Sequence, residues 1–247
     1  MIVRKSIVLF AGILLIFITA CEKLMDTSPE KLPAKLEFEF AIDAFESEEA
    51  DDNTGSQVVK NQSKFTIDHG FLAIENIEFD GRRKHGATNV YFMSDFPETI
   101  NLNLTGELLQ TDIAFDIPQG QYTMVELTFH LGDDHYPSLV MEGSFQRGNH
   151  EPIAVRFEYA YREQIRVKAK NYGGQQEVVF KKDEVSVAEV CIDTQSLVRL
   201  INFGMLMNAE VVIIDGREVL LINADTNPGL YNSISARLNQ ALRLLIK

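Results

Sequence analysis

From Lys64 to Ile192 the chain is a succession of short runs in which apolar and polar residues alternate, each closed by turn-forming residues. The runs are KFTIDHGFLAIENIEF, VYFMSDF, ETINLNLT, TDIAFDIP, YTMVELTFHL, SLVMEGSF, PIAVRFEYAY, EQIRVKAK, QEVVFKK and VSVAEVCID. Between them lie turns such as DGRRKHG, PQGQ, GDDHYP, RGNHEP and NYGG. A period of two suits a strand with one buried face. Many short strands with frequent turns predict a mainly β fold, an antiparallel β-sandwich rather than a βαβ arrangement. One more strand, LEFEFAIDAF, precedes them: Leu36, Phe38, Phe40 and Ile42 point one way, Glu37 and Glu39 the other. No repeat of fixed period is visible. Apolar residues make up 45% of the chain and phenylalanine alone supplies 16, enough to fill a core without tryptophan, which is absent.

The last third changes character. TQSLVRLINFGMLMNA spaces Leu197, Leu200, Ile201, Met205 and Leu206 as a short helix. VVIIDGREVLLI is a hairpin in which Asp215-Gly216 is a type I′ pair between apolar runs. Asn227 is placed as an N-cap and Pro228 at the first helical position of a C-terminal helix. Leu230, Ile234, Leu238, Ala241 and Leu245 would form its apolar face, with Arg237, Arg243 and Lys247 toward the end where cations suit the macrodipole. Packing on the domain is the expected use of that face; a partner or membrane surface is the alternative.

The front of the chain points to a location. MIVRK is a short basic start, SIVLFAGILLIFIT an uncharged apolar run, and a small residue, Ala20, stands before Cys21. This is the layout of a secretory signal, and the run is shorter than the roughly 20 residues a spanning helix needs. Ile18-Thr19-Ala20-Cys21 resembles the bacterial lipobox. That resemblance implies cleavage before Cys21, diacylation of its sulfur and acylation of its amine, and several acyl chains make stable anchoring. It also implies the outer membrane, since Glu22 rather than an aspartate follows the cysteine. An uncleaved anchor is the alternative. The expected organisation is therefore a signal peptide over 1–20, a Pro-containing tether over 21–35 and a β domain with a C-terminal hairpin and helix over 36–247. If Cys21 is lipidated, Cys191 has no intramolecular disulfide partner and packs as a small hydrophobe.

A formal charge of −13 argues against nucleic acid and against electrostatic docking on anionic lipid. The acidic segment Glu46 to Gln57 suits a solvated loop, with a loose cation-binding surface as the alternative.

The segment FDIPQGQYTMVELTFHL, Phe115 to Leu131, resembles uncharacterised Bacteroidota-type lipoproteins, some of them with a transthyretin-like (prealbumin-like) sandwich. That resemblance covers roughly Phe65 to Leu131 and implies fold and location but no enzymatic activity. A related group resembles methanobactin-associated copper proteins, whose ligand derives from tryptophan, a residue this chain lacks.

HLGDDHYP offers His130, Asp133, Asp134 and His135, donors that suit zinc or copper, although a polar hairpin turn collects the same residues. Asn223, Asp225 and Asn227 open like a calcium loop, but Pro228 and Ile234 stand where glycine and a bidentate glutamate belong, so a strand exit and helix cap are expected. Arg82, Arg83, Lys84 and His85 form a basic cluster, a solvated turn or a site for an anionic head group. No G-x-S-x-G, H-E-x-x-H, phosphate-binding glycine loop or C-x-x-C occurs.

The expectation is a non-enzymatic outer-membrane lipoprotein with a binding or structural role and no cofactor. Its alternatives are a copper or zinc protein of the envelope and an adhesin or pilus-related subunit. A binding module of this kind predicts a concave, aromatic-lined groove.

Overall fold

A computed structural model describes residues 33–42, 64–84, 89–132, 135–199 and 201–247. Of these described residues strands account for 61% and helices for 11%, so the mainly β expectation holds. In chain order the first strands are β1 (Pro33–Ile42), β2 (Lys64–Arg83), β3 (Val90–Leu104), β4 (Leu109–Pro118), β5 (Gly120–Leu131), β6 (Leu139–Gln146) and β7 (Ile153–Tyr159). They are followed by β8 (Gln164–Asn171), β9 (Val178–Phe180), β10 (Val185–Ile192), β11 (Val212–Ile214), β12 (Arg217–Ile222) and β13 (Leu242–Ile246). Four short helices lie near the end: α1 (Thr194–Val198), α2 (Phe203–Met207), α3 (Pro228–Ser235) and α4 (Leu238–Ala241).

The antiparallel two-sheet expectation is corrected. Among the described residues all 13 strands join one sheet, in the order β11-β12-β7-β6-β2-β5-β8-β13-β10-β1-β4, with β3 also on β2 and β9 also on β5. Three pairings are parallel: β1 with β10, β12 with β7 and β13 with β8. Alternation says which face of a strand is buried; it does not say which neighbour completes the ladder. Residues distant in sequence supply those parallel neighbours here.

The sheet curls on itself as a half-barrel. Phe40 of β1 reaches Phe129 of β5 at 5.9 Å, and Phe115 of β4 meets Phe92 of β3 at 5.3 Å, edge to face. The bend comes largely from β2, a 20-residue strand whose register shifts at Ile67/His69 and Ile74/Asn76. Its first half pairs with β6 and its second with β5. Leu36, Phe38, Phe40 and Ile42 are buried, as their alternation requires. Cys191 is buried on β10.

The PQGQY turn is the corner at which β4, on one flank of the curl, gives way to β5 at its centre. The Tyr122 hydroxyl donates back to the Pro118 carbonyl at 2.7 Å, and its ring packs edge to face on Phe180. Burial pushes the phenol up to about 12, with Arg83 pulling slightly the other way. Tyr122→Phe leaves the Pro118 carbonyl without its donor and is expected to lose about 1–2 kcal/mol. The folded phenol titrates above its unfolded value of about 10, so this contribution is full below that pH and fades as pH rises toward the folded value. Urea midpoints of both proteins at pH 7 and pH 11 check it: the gap should narrow at the higher pH.

The C-terminal part departs most from expectation. The Asp215-Gly216 hairpin is present, with φ of 51° and 76°, the two positive values a type I′ turn requires. Asn227, expected to cap a helix with its side chain, makes no cap bond and sits left-handed at φ 57°. Its amide instead donates to the Leu221 and Glu210 carbonyls and accepts from the Glu210 N–H, tying β12 to the chain before β11. The single helix expected before the hairpin is two, α1 and α2, capped by Asp193 and Asn202; Leu200 lies outside the described residues. The long final helix is corrected to α3, α4 and a strand. Leu230, Ile234, Leu238 and Ala241 are buried as expected, but Leu242–Ile246 runs extended between β10 and β8. Leu242, Leu244 and Ile246 fit a period of two as well as neighbouring positions fit 3.6, and two open strand edges decide for the ladder. Among the described residues no helix is long and apolar enough to cross a membrane. Strand β1 begins at Pro33, so three residues assigned to the tether belong to the sheet. The remaining residues of the signal and tether, Cys21 among them, and the acidic segment Glu46 to Gln57 lie outside the described residues.

Candidate functional site

The residues singled out from sequence do not assemble into one site. His130 projects from β5: its Nε2 meets Glu78 Oε1 at 2.6 Å, and Gln164 Nε2 donates to its Nδ1 at 3.2 Å. Both ring nitrogens are thus engaged by neighbouring strands. His135 is exposed in the β5–β6 connection, and Asp133 and Asp134 lie outside the described residues. Among the described residues no group of three or more His, Cys, Asp or Glu side chains is arranged to hold a metal. Asn223 Oδ1 accepts the N–H groups of Asp225 and Thr226, which makes it a turn-former, as expected of a strand exit. In the basic cluster, Arg83 donates to the Gln119 carbonyl at 2.7 Å and Lys84 pairs with Glu177 at 3.0 Å, which clamps the β4–β5 corner. His85 is outside the described residues.

Two hollows have their charges answered from within. One of about 390 Å³ includes His69, Tyr136, Glu142 and Arg156. There Glu142 takes His69 at 3.0 Å and Arg156 at 2.6 Å. Another of about 870 Å³ is bordered by Arg147, His150 and Glu218, and Arg147 is turned to the carbonyls of Leu206 and Ala209.

A groove of about 730 Å³ between β8 and β13 is different. These parallel strands pair only from Ala169/Leu244 to Asn171/Ile246. Before that they diverge, and α4 fills the gap: Asn239 Oδ1 accepts the Arg166 N–H, a ladder donor, at 3.0 Å. Leu245 borders the groove on the same face as the cations, while Val167, Leu242 and Leu244 turn into the core, and no aromatic ring lines it. Arg166, Lys168 and Lys170 alternate along one face of β8, and Arg243 stands across on β13. Glu126 is the sole carboxylate in the lining. Four cations to one acid is the reverse of the chain as a whole, which carries 36 acidic and 23 basic residues.

The four cations are not equivalent. Arg243 pairs with Asp193, and Arg166 Nε lies 3.6 Å from Glu126. Among the described residues no carboxylate forms an ion pair with Lys168 or Lys170. Glu126 nevertheless stands directly opposite Lys168 in the β5–β8 ladder, and Leu245 opposite Lys170 in the β8–β13 ladder.

Compared with family models, curated proteins and solved structures, the chain matches none.

Asp193 anchors the groove's far wall, capping α1 through the Ser196 N–H at 2.9 Å and hydroxyl at 2.7 Å. Burial alone would raise its carboxyl, but the Ser196 bonds and the Arg243 guanidinium outweigh it and hold it below the ordinary value. Asp193→Ala is expected to cost about 1–2 kcal/mol. A depressed carboxyl stabilises the fold above its unfolded value near 4 and stops doing so as pH falls through the folded one. Denaturation of wild type and variant at pH 7 and pH 3 should show the difference shrinking in acid.

Sequence reasoning missed this groove. The alternation of Ile165, Val167 and Ala169 with Arg166, Lys168 and Lys170 was legible as a strand with one cationic face. Its opposite wall was not, because Leu242–Ile246 was expected to be helical.

Proposed function

We propose that this chain is a lipoprotein of the outer membrane, held by acyl chains on Cys21, and that its β domain has a non-enzymatic binding role. What supports the binding role is the cation-rimmed groove between β8 and β13 in a strongly acidic chain. A concave site with a few convergent charges suits ligand capture. The location rests on the basic start, the short apolar run and Ile18-Thr19-Ala20-Cys21. The resemblance of Phe115–Leu131 to lipoproteins of the Bacteroidota type supports the same location.

Expression in a Gram-negative host with radiolabelled palmitate tests the anchor. The wild-type chain should carry label and enter the detergent phase on phase separation. Cys21→Ser should lose both the label and that partition while keeping its β-rich circular dichroism. A Cys21→Ser chain that still carries label would sink the lipoprotein reading.

A further inference from the structure

The smaller hollow over β2, β3 and β6 is separate from the β8–β13 groove and independent of the lipid anchor. We propose that it binds a neutral saccharide. Its volume of about 390 Å³ suits about one or two sugar rings. Its place follows from the strand register. Asn103, Phe71 and Val140 stand opposite one another across β3, β2 and β6, and His69, Glu142 and Arg156 do so across β2, β6 and β7. Leu102, Leu104, Leu72 and Met141, at the alternate positions, are buried in the core. The lining side chains therefore stand on the outer face of the sheet. The β5–β6 connection adds Tyr136, which is 69% exposed.

Three features carry this. The first is aromatic surface. Phe71 and Tyr136 both line the hollow, whereas no ring lines the β8–β13 groove. An aromatic face takes the C–H face of a sugar ring by dispersion and by removing that area from water. The second is a pair of amides. Asn101 and Asn103 are exposed on one face of β3, and so about 7 Å apart along the strand. Among the described residues nothing hydrogen-bonds the Asn103 side chain, and Asn101 reaches only the Thr99 carbonyl, at 3.4 Å. An amide both donates and accepts, as adjacent sugar hydroxyls do. The third is the charge balance. Glu142 pairs with His69 and Arg156, and Arg156 also donates to Glu158 beside the hollow. Each of these charges is met within the protein, so an anionic ligand finds no unanswered cation there. A purely apolar ligand would take water from the amides and the ion pairs and return no hydrogen bonds. A sugar ring meets both demands, with C–H groups on its face and hydroxyls at its edge.

Saturation-transfer NMR on the full chain, held in a sugar-free detergent, tests this. The probes are cellobiose, maltose and N-acetylglucosamine as neutral saccharides, glucuronate as an anionic one, and cyclohexanol as a ring without the array of hydroxyls. At least one neutral saccharide should receive saturation through its ring C–H protons, and glucuronate and cyclohexanol should bind about tenfold more weakly or worse. Tyr136→Ala should weaken the saccharide about tenfold, while Tyr136→Phe, which keeps the ring, should retain it. Asn103→Ala should weaken it about fivefold. Both side chains are exposed, and an unchanged circular dichroism spectrum shows that each variant has folded. Lys168→Glu, in the β8–β13 groove, should leave saccharide binding as it is. Cyclohexanol or glucuronate bound as tightly as the best neutral saccharide would overturn the assignment of ligand class. No transfer to any of the three neutral saccharides, or transfer that Tyr136→Ala and Asn103→Ala leave unchanged, would overturn the site itself without bearing on the β8–β13 groove.

Discussion

Gly143→Ala is expected to destabilise the domain by about 3–5 kcal/mol, at the upper end for a single substitution. Gly143 lies in β6 where β2 carries its bulge between Ile67 and His69. A Cβ there would stand 2.0 Å from the Thr66 carbonyl oxygen and 2.7 Å from the Ile67 Cα. Both are backbone atoms, so no rotamer change relieves the overlap; the two strands must separate. The strands concerned hold the bend that lets the sheet curl, so strain there spreads to the core. Gly148→Ala is the control. It has positive φ at 57° but nothing within 4 Å of a Cβ, and should cost only about 1 kcal/mol. Urea denaturation of both variants checks the contrast, and a Gly143→Ala midpoint close to that of Gly148→Ala would mean that β2 and β6 do not approach so closely.

Lys247→Ala is expected to cost about 2–3 kcal/mol, most of it as an uncompensated buried charge. Glu189 of β10 is 1% exposed. Its Oε2 accepts from the Tyr172 hydroxyl, and its Oε1 depends on the Lys247 ammonium. That ammonium also lies 5.3 Å from the centre of the Tyr172 ring. The lysine is 46% exposed, so solvent screens part of the attraction. The larger effect comes from what its removal leaves behind. Adding Glu189→Gln to Lys247→Ala should therefore recover part of the loss, because an amide needs no counter-ion. Hydrogen bonding from Glu189 and Tyr172 raises the lysine above its ordinary value. Its stabilisation is thus complete below about pH 10.5 and fades only as pH climbs through the folded value. Thermal denaturation of the single and double variants at pH 7 and pH 11 measures both effects; a double variant no more stable than Lys247→Ala would rule out the buried carboxylate as the cause.

The groove ties these observations to function. Its walls are β8 and β13, and its far side is braced by Asp193 and Arg243, next to the Glu189–Lys247 pair on β10 and the residue after β13. The elements that stabilise the end of the sheet also place Lys168 and Lys170 along the groove.

Much of the fold was legible as faces. Leu36, Phe38, Phe40 and Ile42 on β1 are buried where alternation put them, and Asp215-Gly216 turns where its chemistry requires. Local signals decided these, since a strand's two faces and a turn's backbone angles depend on neighbouring residues alone. Neighbours across the sheet depend on segments far apart in sequence. Nothing local to Lys35–Ile42 specifies a parallel partner at Val185–Ile192. Asn227 shows the same limit: its identity as a capping residue was sound, but the free carbonyls of Glu210 and Leu221 claimed its side chain.

By itself, then, the sequence determined that this chain is mainly β, which side of most strands faces the core, and a tight hairpin at Asp215-Gly216, because period two and turn chemistry act within a few residues. Only the tertiary structure decided that the strands make one curled mixed sheet and that Leu242–Ile246 is extended rather than helical. That last decision created the groove. The open edges of β8 and β10 offered backbone hydrogen bonds on both sides of a segment whose apolar pattern suited either conformation, and the ladder they completed turned Leu242, Leu244 and Ile246 into the core and set Arg243 and Leu245 beside the lysines of β8.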